Sequence, residues 1–162
     1  MTETANYTCD AIDLNILRHL QEDGRTTIQA LADKVGLSPS PCLRRVRLLE
    51  EAKIITRYVA VLDQAKLALP VSVFISIKLA RQREDDLDAF AKAIEHWPEV
   101  LECYLMTGQR DYLMRVVVAD LAAYERFIKE KLTRVEGVSS IESSFALSQI
   151  KYTNVLPLAG TR

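Results

Sequence analysis

Ile12, Ile16 and Leu20 recur every four residues with Leu17 beside them, so the chain opens on an amphipathic helix over about Asp10–Glu22. Asp10 is placed to cap it, and Asp23-Gly24 marks its end. A second apolar stripe, Ile28, Leu31, Ala32 and Val35, follows a Thr26/Gln29 pair with capping-box spacing. Gly36 stands where a left-handed residue ends that helix. Ser38-Pro39 then reads as an N-cap and first helical residue, and Pro41 still lies in the first turn, where amides have no intrahelical partner. This third helix runs to about Ala52, and Ile54–Leu62, rich in β-branched and aromatic residues, reads as extended chain.

Near Asp63–Pro70 the period changes from helical to alternating. Val71, Val73, Ile75, Ile77 and Leu79 interleave with Ser72, Phe74, Ser76 and Lys78, which predicts a strand with one buried face. A helix carrying Leu87, Phe90, Ala91 and Ile94 follows and ends before Pro98. Strands are expected over Val100–Thr107 and Tyr112–Ala119, joined through Gly108-Gln109-Arg110-Asp111. A helix over Leu121–Arg134, burying Leu121, Tyr124, Ile128 and Leu132, precedes a last strand, Val138–Leu147.

The order β-α-β-β-α-β is the split βαβ, ferredoxin-like arrangement, with two helices on one face of an antiparallel sheet. The fold class expected is α+β: a (winged) helix-turn-helix domain over residues 1–62, a linker over 63–70, and a ferredoxin-like sandwich over 71–162. Phe74, Tyr104, Met106 and Phe145 are expected on the open sheet face, where their apolar character calls for subunit contact.

Two helices joined at Gly36 match a helix-turn-helix whose second helix enters the major groove. At about 100° per residue, Ser40, Arg47 and Glu51 lie within about 60° of Arg44, while Cys42, Val46 and Leu49 lie about 140–200° away. One side is apolar; the other carries arginine and serine, with Arg45 flanking the seam. Ser38 and Ser40 near the helix start suit a phosphate, and the forks of Arg44, Arg45 and Arg47 suit guanine edges. Lys53 and Arg57 suit backbone contacts from a wing-like hairpin.

Charge sharpens the picture. The net charge of −1 argues against indiscriminate polyanion binding, yet Ser38 to Arg57 holds five basic and two acidic residues. A local basic stretch on an acidic body favours oriented docking. Three widely spaced cysteines, Cys9, Cys42 and Cys103, make no metal-ligand spacing with His19 or His96, and are expected to be reduced and packed. No metal, cofactor or catalytic constellation is expected, so the reading is not an enzyme. The apolar runs are too short to cross a bilayer and no secretory signal opens the chain, which points to the cytoplasm.

Ser38-Pro39-Ser40-Pro41-Cys42-Leu43-Arg44-Arg45-Val46-Arg47, with Gly108-Gln109-Arg110-Asp111-Tyr112 downstream, closely resembles the Lrp/AsnC (feast/famine) family of transcription regulators. Ser143–Tyr152 also looks like one branch of it, and the likeness runs from Asp10 to about Leu156. The resemblance implies dimerisation through the sheet domain, often with a shared linker strand, and association of dimers into octamers or open assemblies on operator DNA. It also implies a small amino-acid effector in crevices between dimers, near the Gly-x-x-Asp-Tyr loop. Carried over, Gly108 allows close approach and Asp111 accepts from an ammonium group, while Tyr104, Met106, Thr107 and Ser144 line the pocket. Two other readings stay open: an amino-acid-binding regulatory module like those of metabolic enzymes, and an assembly protein that binds DNA without effector control.

Overall fold

Asp10 starts the first helix in the computed structural model, which describes residues 7–158. Its carboxylate accepts from the Asp13 amide, and the Asp13 side chain accepts from the Asp10 amide, a reciprocal capping box at the head of α1, Ala11–Glu22. The second helix, α2, is Ile28–Val35 and is capped by Thr27, whose hydroxyl accepts from Ala30 N at 3.2 Å. The Thr26/Gln29 box therefore does not form. The helix begins one residue later than expected, and Gln29 is turned along it to Asp33. Gly36 takes φ +71° and Leu37 N–H reaches back to Ala32 O, so α2 ends on the left-handed residue as expected.

The third helix, α3, is Pro39–Glu51. Ser38 holds the N-cap backbone conformation, but its hydroxyl makes no capping bond. Ile16, Leu31, Ala32, Cys42, Val46 and Leu49 close the core of the three helices.

The second unit has β1 (Val71–Leu79), α4 (Glu84–Ile94), β2 (Val100–Leu105), β3 (Tyr112–Val118), α5 (Leu121–Glu130) and β4 (Val138–Phe145). The sheet is antiparallel in the order β2-β3-β1-β4, the ferredoxin-like topology expected. Val73, Ile75, Ile77 and Leu79 of β1 share one face with Tyr112, Met114, Val116 and Val118 of β3. Phe90 and Ile94 of α4, with Tyr124 and Phe127 of α5, cover that face. Phe127 rather than Leu121 is the buried anchor of α5; Leu121 directly follows the N-cap Asp120 and is exposed.

The open face carries Phe74 and Tyr104 as expected, but not Phe145. Phe145 pairs with Val73, so it shares the covered face, and its ring meets Tyr124 edge-on at 5.0 Å.

The chain divides into two compact units, one running to Val61 and taking in the chain from Lys151, the other Leu62–Ile150. The sequence boundary placed the C-terminal segment with the sheet; here Gln21 receives it, accepting from Leu156 N at 2.6 Å and donating to Leu156 O at 3.4 Å. The outermost ends of both expected domains, residues 1–6 and 159–162, lie outside the described residues. No described helix is long and apolar enough to cross a membrane.

Candidate nucleic-acid interface and effector loop

Cys42, Val46 and Leu49 point into the first unit's core, and that fixes what α3 shows to the outside. Ser38, Ser40, Arg44 and Arg47 are all exposed, and neither arginine pairs with a carboxylate among the described residues. The two prolines at the start of α3 remove donors that the first turn cannot use internally, leaving hydroxyls and the positive end of the helix dipole at that tip. An anion approaching here meets hydroxyls first and guanidinium groups one turn later.

Arg45 stands apart from this face. Its Nη1 lies 2.8 Å from Asp10 Oδ2 and 2.8 Å from Asp13 Oδ1. Asp13 is only 1% exposed, so Arg45 supplies the cation that a buried carboxylate requires. Tyr7 Oη donates to Asp13 Oδ2 at 2.9 Å. The Asp13 amide, and then Arg45, hold the Asp10 carboxyl below its ordinary pKa. The wheel identified the seam position of Arg45 but carried no sign that α1 meets it with two carboxylates.

Directly after α3, residues 52–63 form no hairpin. Lys53 takes φ +58°, Lys53 N–H bonds to Glu50 O, and Ile54 N–H bonds to Leu49 O, a Schellman ending built on lysine. Residues 56–63 then run without strand pairing among the described residues. Lys53 and Arg57 are exposed on this segment, outside any wing-like hairpin of the single chain.

Lys53→Gly separates two roles. Removing the left-handed strain is expected to stabilise the first unit by about 1 kcal/mol, read as a higher melting temperature. If Lys53 touches a phosphate, the same variant lowers the slope of log affinity against log salt by about one.

In the second unit, Gly108 takes φ +117° in the loop between β2 and β3, a conformation that a side chain would strain. Asp111 and Tyr112 fasten that loop where it enters β3. Asp111 Oδ2 accepts from Leu79 N at 2.6 Å and from Gln82 Nε2 at 3.4 Å. Tyr112 Oη donates to Leu87 O at 3.0 Å, and its ring stacks on Phe90 at 4.5 Å. Thr107 and Gly108 are left exposed, and Met106 N–H bonds to Asp111 O.

Arg110, which carried no signal in the sequence, reaches across to β4. It donates to Ser140 Oγ at 3.0 Å and to Glu142 Oε2 at 2.7 Å. Cross-strand pairing at such a separation leaves no local trace in a sequence.

Tyr104 and Ser144 share the open face but sit on opposite edge strands, β2 and β4. Three strand spacings separate them, about 14 Å, more than a small amino acid spans. Between them runs a chain of polar contacts. Tyr104 Oη donates to Glu102 at 3.1 Å, Arg115 bridges Glu102 and Gln64 at 3.2 Å each, and Gln64 donates to Ser72 at 3.0 Å.

Two cavities open in this unit. One, of about 560 Å³, lies between α4 and β2 and is lined by Lys92, Ile94, Leu101 and Cys103 among others. The other, of about 260 Å³, lies beside α5. Neither is lined by Tyr104, Met106, Thr107, Gly108, Asp111 or Ser144. Burial pushes the Cys103 thiol up to about 11, which keeps it protonated and unreactive at neutral pH; Cys9 and Cys42 are raised for the same reason. All three cysteines are free.

Residues 10–56 match the family model of the winged helix-turn-helix DNA-binding domain, and residues 72–156 match that of the Lrp/AsnC ligand binding domain. The chain is 48% identical over 149 residues to the Bkd operon transcriptional regulator of Pseudomonas aeruginosa, covering 92% of this chain and 97% of that one. It is 42% identical over 142 residues to the leucine-responsive regulatory protein of Rhizobium meliloti, covering 88% and 91%. Among solved structures, a transcriptional regulator of Neisseria meningitidis in complex with L-Met superposes with a TM-score of 0.88 at 41% identity, over 93% of this chain and 97% of that one. An AsnC family regulator from Agrobacterium tumefaciens gives 0.87 at 46% identity, over 92% and 97%.

Proposed function

This chain belongs to the Lrp/AsnC family of transcription regulators, and from that premise we propose that it is a sequence-specific DNA-binding protein whose assembly or DNA binding answers to a small amino acid. Its relatives are named as regulators, and it is a regulator rather than an enzyme. We place it in the cytoplasm, beside the operator DNA it is proposed to read.

The observation that carries the DNA-binding half of this reading is α3 itself. Its apolar seam is fully used inside the unit, and its outer side presents Ser38, Ser40, Arg44 and Arg47 without internal partners. Arg44 and Arg47 read base edges in the major groove, the serine hydroxyls hold phosphate, and Lys53 and Arg57 fix register on the backbone. Paired recognition helices of a symmetric dimer read half-sites about 34 Å apart or a multiple of it.

The effector binds at the Gly108 loop, between chains. Tyr104, Met106, Thr107, Gly108, Asp111 and Ser144 contribute to it, and the separation of Tyr104 from Ser144 within one chain supports a site completed by a second copy. Asp111 Oδ2 is engaged with Leu79 and Gln82, so Oδ1 is the atom offered to an ammonium group. Assembly proceeds to dimers and then octamers. The exposed, unpaired run Tyr58–Leu62 supports strand exchange at the dimer stage, because an extended apolar segment calls for a partner strand.

A second reading is favoured by the way Asp111 and Tyr112 already fasten their loop: the chain binds DNA and assembles with no effector at all. A thermal-shift screen of the twenty amino acids separates the two, beginning with L-methionine, the ligand of the meningococcal relative. A bound amino acid at a hundredfold excess over Kd stabilises the folded state by about 2.7 kcal/mol. If none of the twenty moves either the melting temperature or binding to a selected DNA fragment, the effector reading fails.

A further inference from the structure

We infer that Arg45 is a positioning residue for DNA recognition: by clamping Asp10 and Asp13 of α1 it sets the roll of α3 and so the aim of Arg44 and Arg47. The inference rests on the reading of the Arg44/Arg47 side as the groove face.

Asp13 sits at the centre of the clamp. One oxygen takes Arg45 Nη1 at 2.8 Å; the other takes Tyr7 Oη at 2.9 Å and the Asp10 amide at 3.1 Å. Asp10 closes the loop by accepting from both Arg45 and the Asp13 amide, each at 2.8 Å. Four groups on two segments are thus satisfied by one another, and no buried side-chain polar atom among the described residues is left over. Removing Arg45 to reach a phosphate would strand a buried carboxylate, so the guanidinium stays where it is.

The clamp acts on the roll of the helix because of where Arg45 lies. It follows Arg44 by one residue, about 100° around the axis, and precedes Arg47 by two. Contacts of Cys42, Val46 and Leu49 seat α3 against the core, and the clamp adds a polar anchor beside that seam. A charged fork on fixed carboxylates is directional. With side-chain atoms about 6 Å from the axis, a roll of about 20° displaces a tip by about 2 Å. That exceeds the tolerance of a bidentate hydrogen bond to a base.

The opposing carboxylates make the test decisive, because they cannot themselves attract DNA. The full-length protein is titrated with a fragment enriched by selection against the parent, and with a shuffled fragment of equal length. Arg45→Met and Asp13→Asn are each expected to reduce the ratio of selected to shuffled affinity by at least about tenfold. Asp13→Asn should leave shuffled binding unchanged or slightly tighter, since it removes a negative charge. Arg45→Met should keep the parent's salt slope.

Asp10→Asn serves if Asp13→Asn fails to fold, because asparagine keeps the N-cap and only the exposed half of the clamp is lost. It is expected to lower the ratio about threefold, a modest change for one exposed partner. Arg45→Lys, which keeps a charge in place, should recover part of the loss. Selected binding that tightens or stays at the parent's value in Asp13→Asn or Asp10→Asn overturns the inference, as does a salt slope lowered by one in Arg45→Met. Arg44→Ala tells the two failures apart. If it too leaves the ratio unchanged, the groove face is misassigned; if it lowers the ratio while the carboxylate variants do not, only the positioning role falls.

Discussion

Arg44→Ala and Arg47→Ala together are expected to weaken operator binding by on the order of a thousandfold while leaving subunit assembly at the parent's value. Each good bidentate contact to a guanine discriminates by about 1–3 kcal/mol, and each lost cation also removes a counterion-release contribution. The effect is confined to DNA because both side chains are exposed and hold nothing inside the unit. Fluorescence anisotropy with a selected fragment gives the affinity, and sedimentation gives the assembly. Parent-like affinity in the double variant would remove α3 as the reading helix.

The legibility of α3 has a simple cause. Its core side is local: Cys42, Val46 and Leu49 repeat at helical spacing within one segment, and Ser38-Pro39 marks its start. Whatever is decided by one segment meeting another was harder to read. Arg45 looked like its neighbours until α1 brought Asp10 and Asp13 to it. Phe145 looked like an open-face residue until the β1–β4 register set it opposite Val73. The alternation within each strand was visible, but register between strands depends on pairing. The wing is the same lesson in reverse: the β-branched run Ile54–Leu62 was legible as extended chain, and no strand of this unit pairs with it.

The loop around Gly108 divides along the same line. Gly108 was legible because φ +117° suits glycine, and the hairpin it serves lies between consecutive strands. The partners of Asp111 and Arg110 lie on β1, β4 and the chain after β1, and nothing near the loop announces them. Tyr112 could be placed inside by strand alternation, yet its hydroxyl bond to Leu87 O depends on how α4 packs.

Leu49→Ala is expected to unfold the DNA-reading unit at physiological temperature and abolish operator binding, while the sheet unit stays folded. Leu49 is completely buried, and truncating such a leucine costs about 2–5 kcal/mol in lost transfer energy and residual cavity. Size decides the consequence. The first unit's core has six buried side chains, against thirteen in the second, and a small core carries little stability to spare. Leu49 also carries the carbonyl that accepts from Ile54 and Ile55, so collapse around a cavity there disturbs the end of α3 as well as its packing. Calorimetry should resolve a lowered first transition and an unshifted second one, with subunit assembly retained by the sheet unit. A single transition that moves as a whole would mean that the two units fold as one, and the separation of their cores would then have no thermodynamic counterpart.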